Sequence, residues 1–191
     1  MSQVQSVINF KLLIQNIFAN IHNMETVFLL LGGNIGDREK IICNAISLIN
    51  SKAGTVEQVS SFYETEPWGM LNAKSFLNIA LKLTTKLTAF ELLDELLKIE
   101  ELLGRKRNQL ITEYESRPID IDILFYGSTV IQTTQLTIPH PHLQTRKFVL
   151  VPLCEIASEF IHPVLRKSIF SLLNECQDKL KTEVLKPYIL L

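Results

Sequence analysis

Ile119-Asp120-Ile121-Asp122-Ile123-Leu124-Phe125-Tyr126, entered through Arg117-Pro118, decides the fold. Isoleucines and aspartates alternate with the period of two of an extended chain. Ile119, Ile121 and Ile123 therefore share one face of a strand, and Asp120 and Asp122 the other. Upstream, the apolar run Val27 to Leu31 ends at Gly32-Gly33-Asn34-Ile35-Gly36-Asp37 and reads as strand and turn. A helical pattern follows through Ile41, Ile42, Ala45, Leu48 and Ile49, with Asp37 as its N-cap. Val56 to Tyr63 reads as a second strand, and Phe76 to Thr85 as a third, after a loop around Pro67-Trp68-Gly69. Thr88-Ala89-Phe90-Glu91 is a capping box. It opens a helix with Phe90, Leu93, Leu96, Leu97, Glu100 and Leu103 near one face, closed by Gly104. The order β, α, β, β, α, β predicts the α+β class: a ferredoxin-like α/β sandwich with a largely antiparallel sheet and helices packed on one face of it. A short hairpin around Gly127 and a closing helix over Ser168 to Lys181 complete the expected elements.

The composition fits one globular domain: 191 residues, 47% hydrophobic, 20% charged, with 7 Gly and 7 Pro. A formal net charge of −1 provides no general field to gather nucleic acid or anionic lipid, so a basic site must be local. Cys43, Cys154 and Cys176 form no C-x-x-C pair and read as small buried hydrophobes of a protein from a reducing compartment. No apolar run reaches the ~18 residues of a spanning helix. Residues 1–23 stand apart, with Lys11 as their only Lys, Arg, Asp or Glu. Phe10, Leu13, Ile14, Ile17, Phe18 and Ile21 follow helical spacing. This segment reads either as a docking helix or as translated sequence upstream of a start at Met24; a secretory signal does not fit.

Two strand steps separate the Asp120 and Asp122 Cα atoms by roughly 6.5 to 7 Å, so both carboxylates can lean toward one hard cation. Magnesium suits the pair, since it takes one or two carboxylates and leaves its other positions to water and phosphate. A solvated acidic pair is the competing reading. Arg117, Arg105-Lys106-Arg107 and Arg146-Lys147 lie near in sequence. Planar guanidinium forks pair with phosphate, so these arginines beside the aspartates would make a polyphosphate clamp. The macrodipole alone also accounts for cations at a helix C-terminus. His140-Pro141-His142 follows Pro139 and is expected to be extended and rigid, with His140 either donating to phosphate or bonded to backbone. The glycines at 32, 33 and 36 make neither a Walker A loop nor a dinucleotide fingerprint, and need mean no more than a tight turn. Trp68, Phe76, Tyr114 and Phe148 are aromatics in or beside predicted loops, on which a flat heterocycle could stack.

Taken in order, these motifs resemble the 6-hydroxymethyl-7,8-dihydropterin pyrophosphokinases of folate biosynthesis, from about Val27 to about Pro163. The resemblance rests on Leu-Gly-Gly-Asn-Ile-Gly-Asp at 31–37, Ser-Ser-Phe-Tyr-Glu-Thr-Glu-Pro-Trp-Gly at 60–69 and Phe-Leu-Asn at 76–78. It continues with Glu-x-x-x-Gly-Arg-x-Arg at 100–107, Arg-x-x-Asp-Ile-Asp-Ile-Leu at 117–124, Ile-Pro-His-Pro at 138–141 and Arg-x-Phe at 146–148. It implies transfer of the terminal pyrophosphate of ATP to the pterin hydroxymethyl group, with release of AMP. Asp120 and Asp122 would hold two Mg²⁺ ions, and Arg105 and Arg117 would neutralise charge on the moving group. Glu100, Arg107, Ile123, His140 and Arg146 match ATP-site positions. Thr65, Trp68, Phe76, Asn78, Tyr114 and Phe148 match the pterin pocket, with Tyr114 and Phe148 sandwiching the ring. The expected domain is residues 24–191, with 1–23 an extension. The expected partners are ATP and the pterin, with no nucleic acid and no membrane, for a monomer of the cytoplasm.

The sequence departs from the family pattern at Tyr114, where many members have Trp, and at Glu113 and Glu115. The segment Asn108 to Thr112 is slightly longer than in short members, and the loop over 106–116 is expected to be open without substrate and closed over the phosphates with both ligands. Rival readings are another Mg²⁺-dependent phospho- or nucleotidyltransferase, and a non-catalytic pterin-binding or RNA-binding module of ferredoxin-like topology.

Overall fold

Strand β1 (Glu25–Gly33) is buried from its third residue onward because it is paired on both edges. β4 (Phe76–Thr85) and β5 (Asp120–Tyr126) flank it, both antiparallel. β4 in turn pairs with β2 (Thr55–Val59) and β3 (Phe62–Thr65), and β8 (Thr182–Lys186) pairs with β3. The sheet order is β5-β1-β4-β3-β8, with β2 on β4. A separate ribbon joins β6 (Ile131–Gln132) to β7 (Thr137–Ile138). This is the computed structural model of the chain, and it describes residues 24–68, 74–106 and 116–189.

Alternation along β1 sorts the core into two layers. Val27, Leu29 and Leu31 face α1 (Arg38–Lys52) and α2 (Ala89–Leu102). Phe28 and Leu30 face α3 (Lys147–Ala157) and α4 (Ile169–Glu175). The antiparallel α+β sandwich therefore stands, but helices cover both faces of the sheet rather than one. Helix α3 escapes a pattern reading because Pro152 lies inside it and its N-cap residue, Arg146, makes no side-chain cap. Its first N–H, at Lys147, is taken instead by the remote carboxylate of Asp178 at 2.9 Å.

Both predicted caps form: Asp37 accepts from Lys40 N–H, and Thr88 and Glu91 make a reciprocal box. The buried face of α2 is Ala89, Leu92, Leu96, Ile99 and Glu100, turned from the predicted one so that Phe90 is 41% exposed. The expected strand Val56 to Tyr63 is broken at Ser60-Ser61. Ser60 Oγ accepts from Ala80 N–H, and Glu155 draws Ser61 N–H away from the sheet. The expected hairpin turns over Thr133–Leu136 rather than at Gly127. The closing helix stops at Glu175, and the chain re-enters the sheet as β8. Pro141 and His142 form a turn into the 3₁₀ segment Leu143–Thr145, not an extended run. Cys43, Cys154 and Cys176 are free and only partly buried, against the edges of the two core layers. No helix of the described residues is long and apolar enough to cross a membrane.

Candidate active site

Paired residues of neighbouring strands share a face, so register alone assembles the site. Tyr63, Asn78, Gly32 and Asp120 form one row across β3, β4, β1 and β5. The next row is Ala80, Leu30 and Asp122, and Leu30 and Ala80 belong to the layer under α3. Thr65 and Phe76 are paired at the near end of β3 and β4. With strands ~4.8 Å apart, Asn78 and Asp120 stand roughly 10 Å from each other. Only Gly32, which has no side chain, lies between them. A Cβ at Gly32 would overlap Asn78 Oδ1, and one at Gly33 would overlap the Pro118 carbonyl oxygen. The paired glycines keep this surface open, a role that the search for phosphate-loop motifs missed. The readable signal is their position at the strand end opposite Asn78 and the aspartates.

At the Asp120 end, charge is concentrated. Arg105 Nη1 pairs with Asp120 Oδ1 and with Glu100 Oε1, the latter at 2.7 Å. Arg117 Nη2 meets Asp120 Oδ2 at 2.6 Å. Glu100 is 2% exposed and is held because the same Oε1 also accepts the N–H of Ile121, on the outer edge of β5, at 2.7 Å. Burial pushes the Asp120 carboxyl up, but Arg117 and Arg105 outweigh it and hold the group below its ordinary value. Asp122 differs: burial first, then the neighbouring Asp120 charge, pushes it up to about 7. Arg117 and Arg105 thus hold the first carboxylate charged, whereas at its neighbour burial and the Asp120 charge outweigh the same two arginines. A cation shared between them would relieve the second, and two carboxylates open to water and phosphate oxygens suit magnesium. Among the described residues no cluster of three or more His, Cys, Asp or Glu surrounds the pair.

The opposite end is aromatic, with a few buried polar side chains among the rings. Asn78 is 3% exposed and donates Nδ2–H to Thr65 Oγ1 at 2.7 Å, which fixes its amide plane. Phe76 carries the Arg117 guanidinium 5.4 Å above its ring. Arg146 is 8% exposed and lies 4.6 Å from the Trp68 ring and 5.8 Å from the Phe148 ring. Arg146 and Phe148 reach this surface because α3 begins at Lys147 and its first turn overhangs the sheet. His140 donates its backbone N–H to Leu124 O at 3.0 Å, and its Nδ1 accepts from His142 N–H. Burial first, then Arg146, pushes the His140 imidazole down to about 4. It is therefore neutral near pH 7, with the proton on Nε2.

The structure thus gathers Glu100, Arg105, Arg117, Asp120 and Asp122 at one end and Thr65, Trp68, Phe76, Asn78 and Phe148 at the other, with Arg146 between Trp68 and His140. The Ile123 side chain lies in the opposite core layer, 5% exposed, so only its backbone can face a ligand. Arg107, Tyr114, the segment Asn108 to Thr112 and residues 1–23 lie outside the described residues.

Comparison with known proteins places the chain in one family. The family profile described as 7,8-dihydro-6-hydroxymethylpterin-pyrophosphokinase (HPPK) matches residues 28–158. A 2-amino-4-hydroxy-6-hydroxymethyldihydropteridine pyrophosphokinase from Aquifex aeolicus is 42% identical over 146 residues, covering 76% of this chain and 89% of that protein. The protein of the same name from Bacillus subtilis is 43% identical over 133 residues, 69% of this chain and 78% of its own length. Among solved structures, wild-type Plasmodium falciparum HPPK-DHPS with pteroate superposes with a TM-score of 0.65 at 17% identity, over 80% of this chain. The chain spans 44% of that longer protein, and at this identity the likeness concerns the fold alone.

Proposed function

The chain belongs to the 7,8-dihydro-6-hydroxymethylpterin-pyrophosphokinase family, and from that premise we propose how its own residues carry the family reaction. The reaction moves pyrophosphate from ATP to the hydroxymethyl group of 6-hydroxymethyl-7,8-dihydropterin in folate biosynthesis. The hydroxymethyl oxygen bonds to the β-phosphorus and gives up its proton to solvent, while the bond from that phosphorus to the α,β-bridging oxygen breaks and AMP leaves with that oxygen.

The observation that carries the assignment is the single row joining Asn78 to Asp120 across bare Gly32. A pterin whose polar edge is read by Asn78 and Thr65 extends its hydroxymethyl arm along this row toward the phosphates. Phe76 and Phe148 border the ring, joined by Tyr114; Trp68 closes the pocket and is itself stacked on Arg146. Asp120 and Asp122 are the residues that would hold magnesium, expected as two ions, which would supply charge neutralisation at the phosphate oxygens. Arg105 and Arg117 are already poised on Asp120, so an arriving triphosphate meets two guanidiniums held in place and gives them a second anionic partner. Glu100 sets Arg105 from below, and neutral His140 donates from Nε2. Arg146, Arg107 and the Ile123 backbone complete the nucleotide side.

The domain is taken as residues 24–191, a cytoplasmic monomer; three free cysteines support a reducing compartment. The test supplies ATP, Mg²⁺ and reduced hydroxymethylpterin and measures AMP. Pterin-dependent AMP release is the expected result. ADP or free pyrophosphate as the product, or ATP consumption indifferent to pterin, would refute the assignment.

A further inference from the structure

Asn34 is 1% exposed, although Ile35, Gly36 and Asp37, which follow it in the turn after β1, are all exposed. A buried amide is costly unless its polar atoms are partnered, and the partners of Asn34 are drawn from the approaches to two strands. Its Oδ1 accepts the N–H of Arg117 at 2.8 Å, and its own backbone N–H donates to Arg117 O at 3.0 Å. Its Nδ2 donates to Ser116 Oγ at 2.9 Å and to Lys74 O at 3.4 Å. One residue therefore grips both backbone polar groups of Arg117 and also ties down the lead-in to β4, which carries Phe76. Gly33 provides the clearance for this approach, since a Cβ there would overlap Pro118 O.

We propose that Asn34 is a positioning residue for the transferring step: it sets the backbone of Arg117 relative to Phe76, so that the guanidinium is held between the Phe76 ring and the Asp120 carboxylate. Those two contacts, 5.4 Å to the ring centroid and 2.6 Å to Oδ2, lie on opposite sides of the gap between ring pocket and phosphate end. An arginine that must meet charge developing at phosphorus is useful only when its geometry is fixed beforehand, and displacements of about 1 Å are costly in rate. The inference rests on the reading of Arg117 as a phosphate-facing residue given above.

The test is a double-mutant cycle in the full chain, preceded by the wild-type assay for pterin-dependent AMP release. Loss of the three side-chain hydrogen bonds predicts that Asn34→Ala lowers kcat by about 10- to 100-fold. Affinity for α,β-methylene ATP, which cannot undergo the transfer, should stay within about threefold. In an Arg117→Ala background the same substitution should cost almost nothing further in kcat, because Asn34 acts through Arg117. Asn34→Asp keeps the acceptor for Arg117 N–H and can accept from the Ser116 hydroxyl, so it should retain kcat within about fivefold of wild type. It remains informative should the alanine variant not fold. Wild-type kcat in Asn34→Ala, additive losses in the cycle, or a loss in folded Asn34→Asp beyond about tenfold would overturn the proposal. Absence of pterin-dependent AMP release from the wild-type chain would instead overturn the functional reading beneath it.

Discussion

Gly32 and Asn78 stand opposite each other on β1 and β4, and the amide oxygen of Asn78 occupies the space that a side chain at Gly32 would need. Gly32→Ala should push the Asn78 amide off Thr65 and narrow the strip leading to Asp120. We expect a stability loss of about 1–3 kcal/mol and a KM for the pterin raised more than the KM for ATP. Equal increases for both substrates would show that the strip does not separate the two ends of the site.

Arg105→Ala should lower kcat on the order of 10³-fold while weakening ATP binding far less, as for other arginines that meet transition-state charge in phosphoryl transfer. It also deprives Glu100, 2% exposed, of its cation. Breaking such a buried pair costs about 3–5 kcal/mol. Single-turnover AMP release and thermal unfolding separate the two effects, and wild-type turnover would remove Arg105 from the mechanism.

Asp120→Asn and Asp122→Asn should each abolish Mg²⁺-dependent AMP release with the fold intact. Their effects on the metal-free protein should differ in sign. Asp120 is compensated by Arg105 and Arg117, so its neutralisation should lower the melting temperature. At Asp122 burial and the Asp120 charge outweigh the pull of Arg117 and Arg105, so its neutralisation should raise that temperature. Calorimetry without metal, read beside circular dichroism, checks both.

His162 is 4% exposed, and its Nδ1 accepts the N–H groups of Val164 and Leu165 at 3.2 and 3.1 Å. Burial holds its pKa below the ordinary 6.5. The unfolded chain then binds the proton more readily than the native one, so stability is full above 6.5 and falls as pH drops through the window below it. His140, pushed down to about 4, adds to the same slope. His162→Asn keeps an acceptor in place of Nδ1 and removes one titration. Its urea midpoint should change less than that of wild type between about pH 7.5 and about pH 5.

What could be read in advance followed from regular periods. The alternation of Ile119 to Ile123, the capping box at Thr88 and the apolar β1 put the sheet, two helices and the aspartate pair in their observed places. The unread parts depend on partners distant in sequence. Helix α3 is capped by Asp178 and contains Pro152, so local signals argue against it. β8 is an exposed edge strand that exists because β3 offers it a ladder. The break at Ser60-Ser61 depends on Glu155, 94 residues away. Asn34 looked like one residue of a tight turn because its contacts at Lys74, Ser116 and Arg117 are all long-range.

Glu100 and His140 also bear on self-association. β5 is the outermost strand of the sheet on its side, and an unpaired strand edge is a template for another chain. Glu100 fills the Ile121 N–H, and the His140 backbone N–H fills the Leu124 carbonyl. Two residues proposed for the nucleotide side thus also block strand addition by a second molecule. A variant that loses Glu100 exposes a main-chain donor on that rim, so its cost includes solubility at high protein concentration as well as turnover.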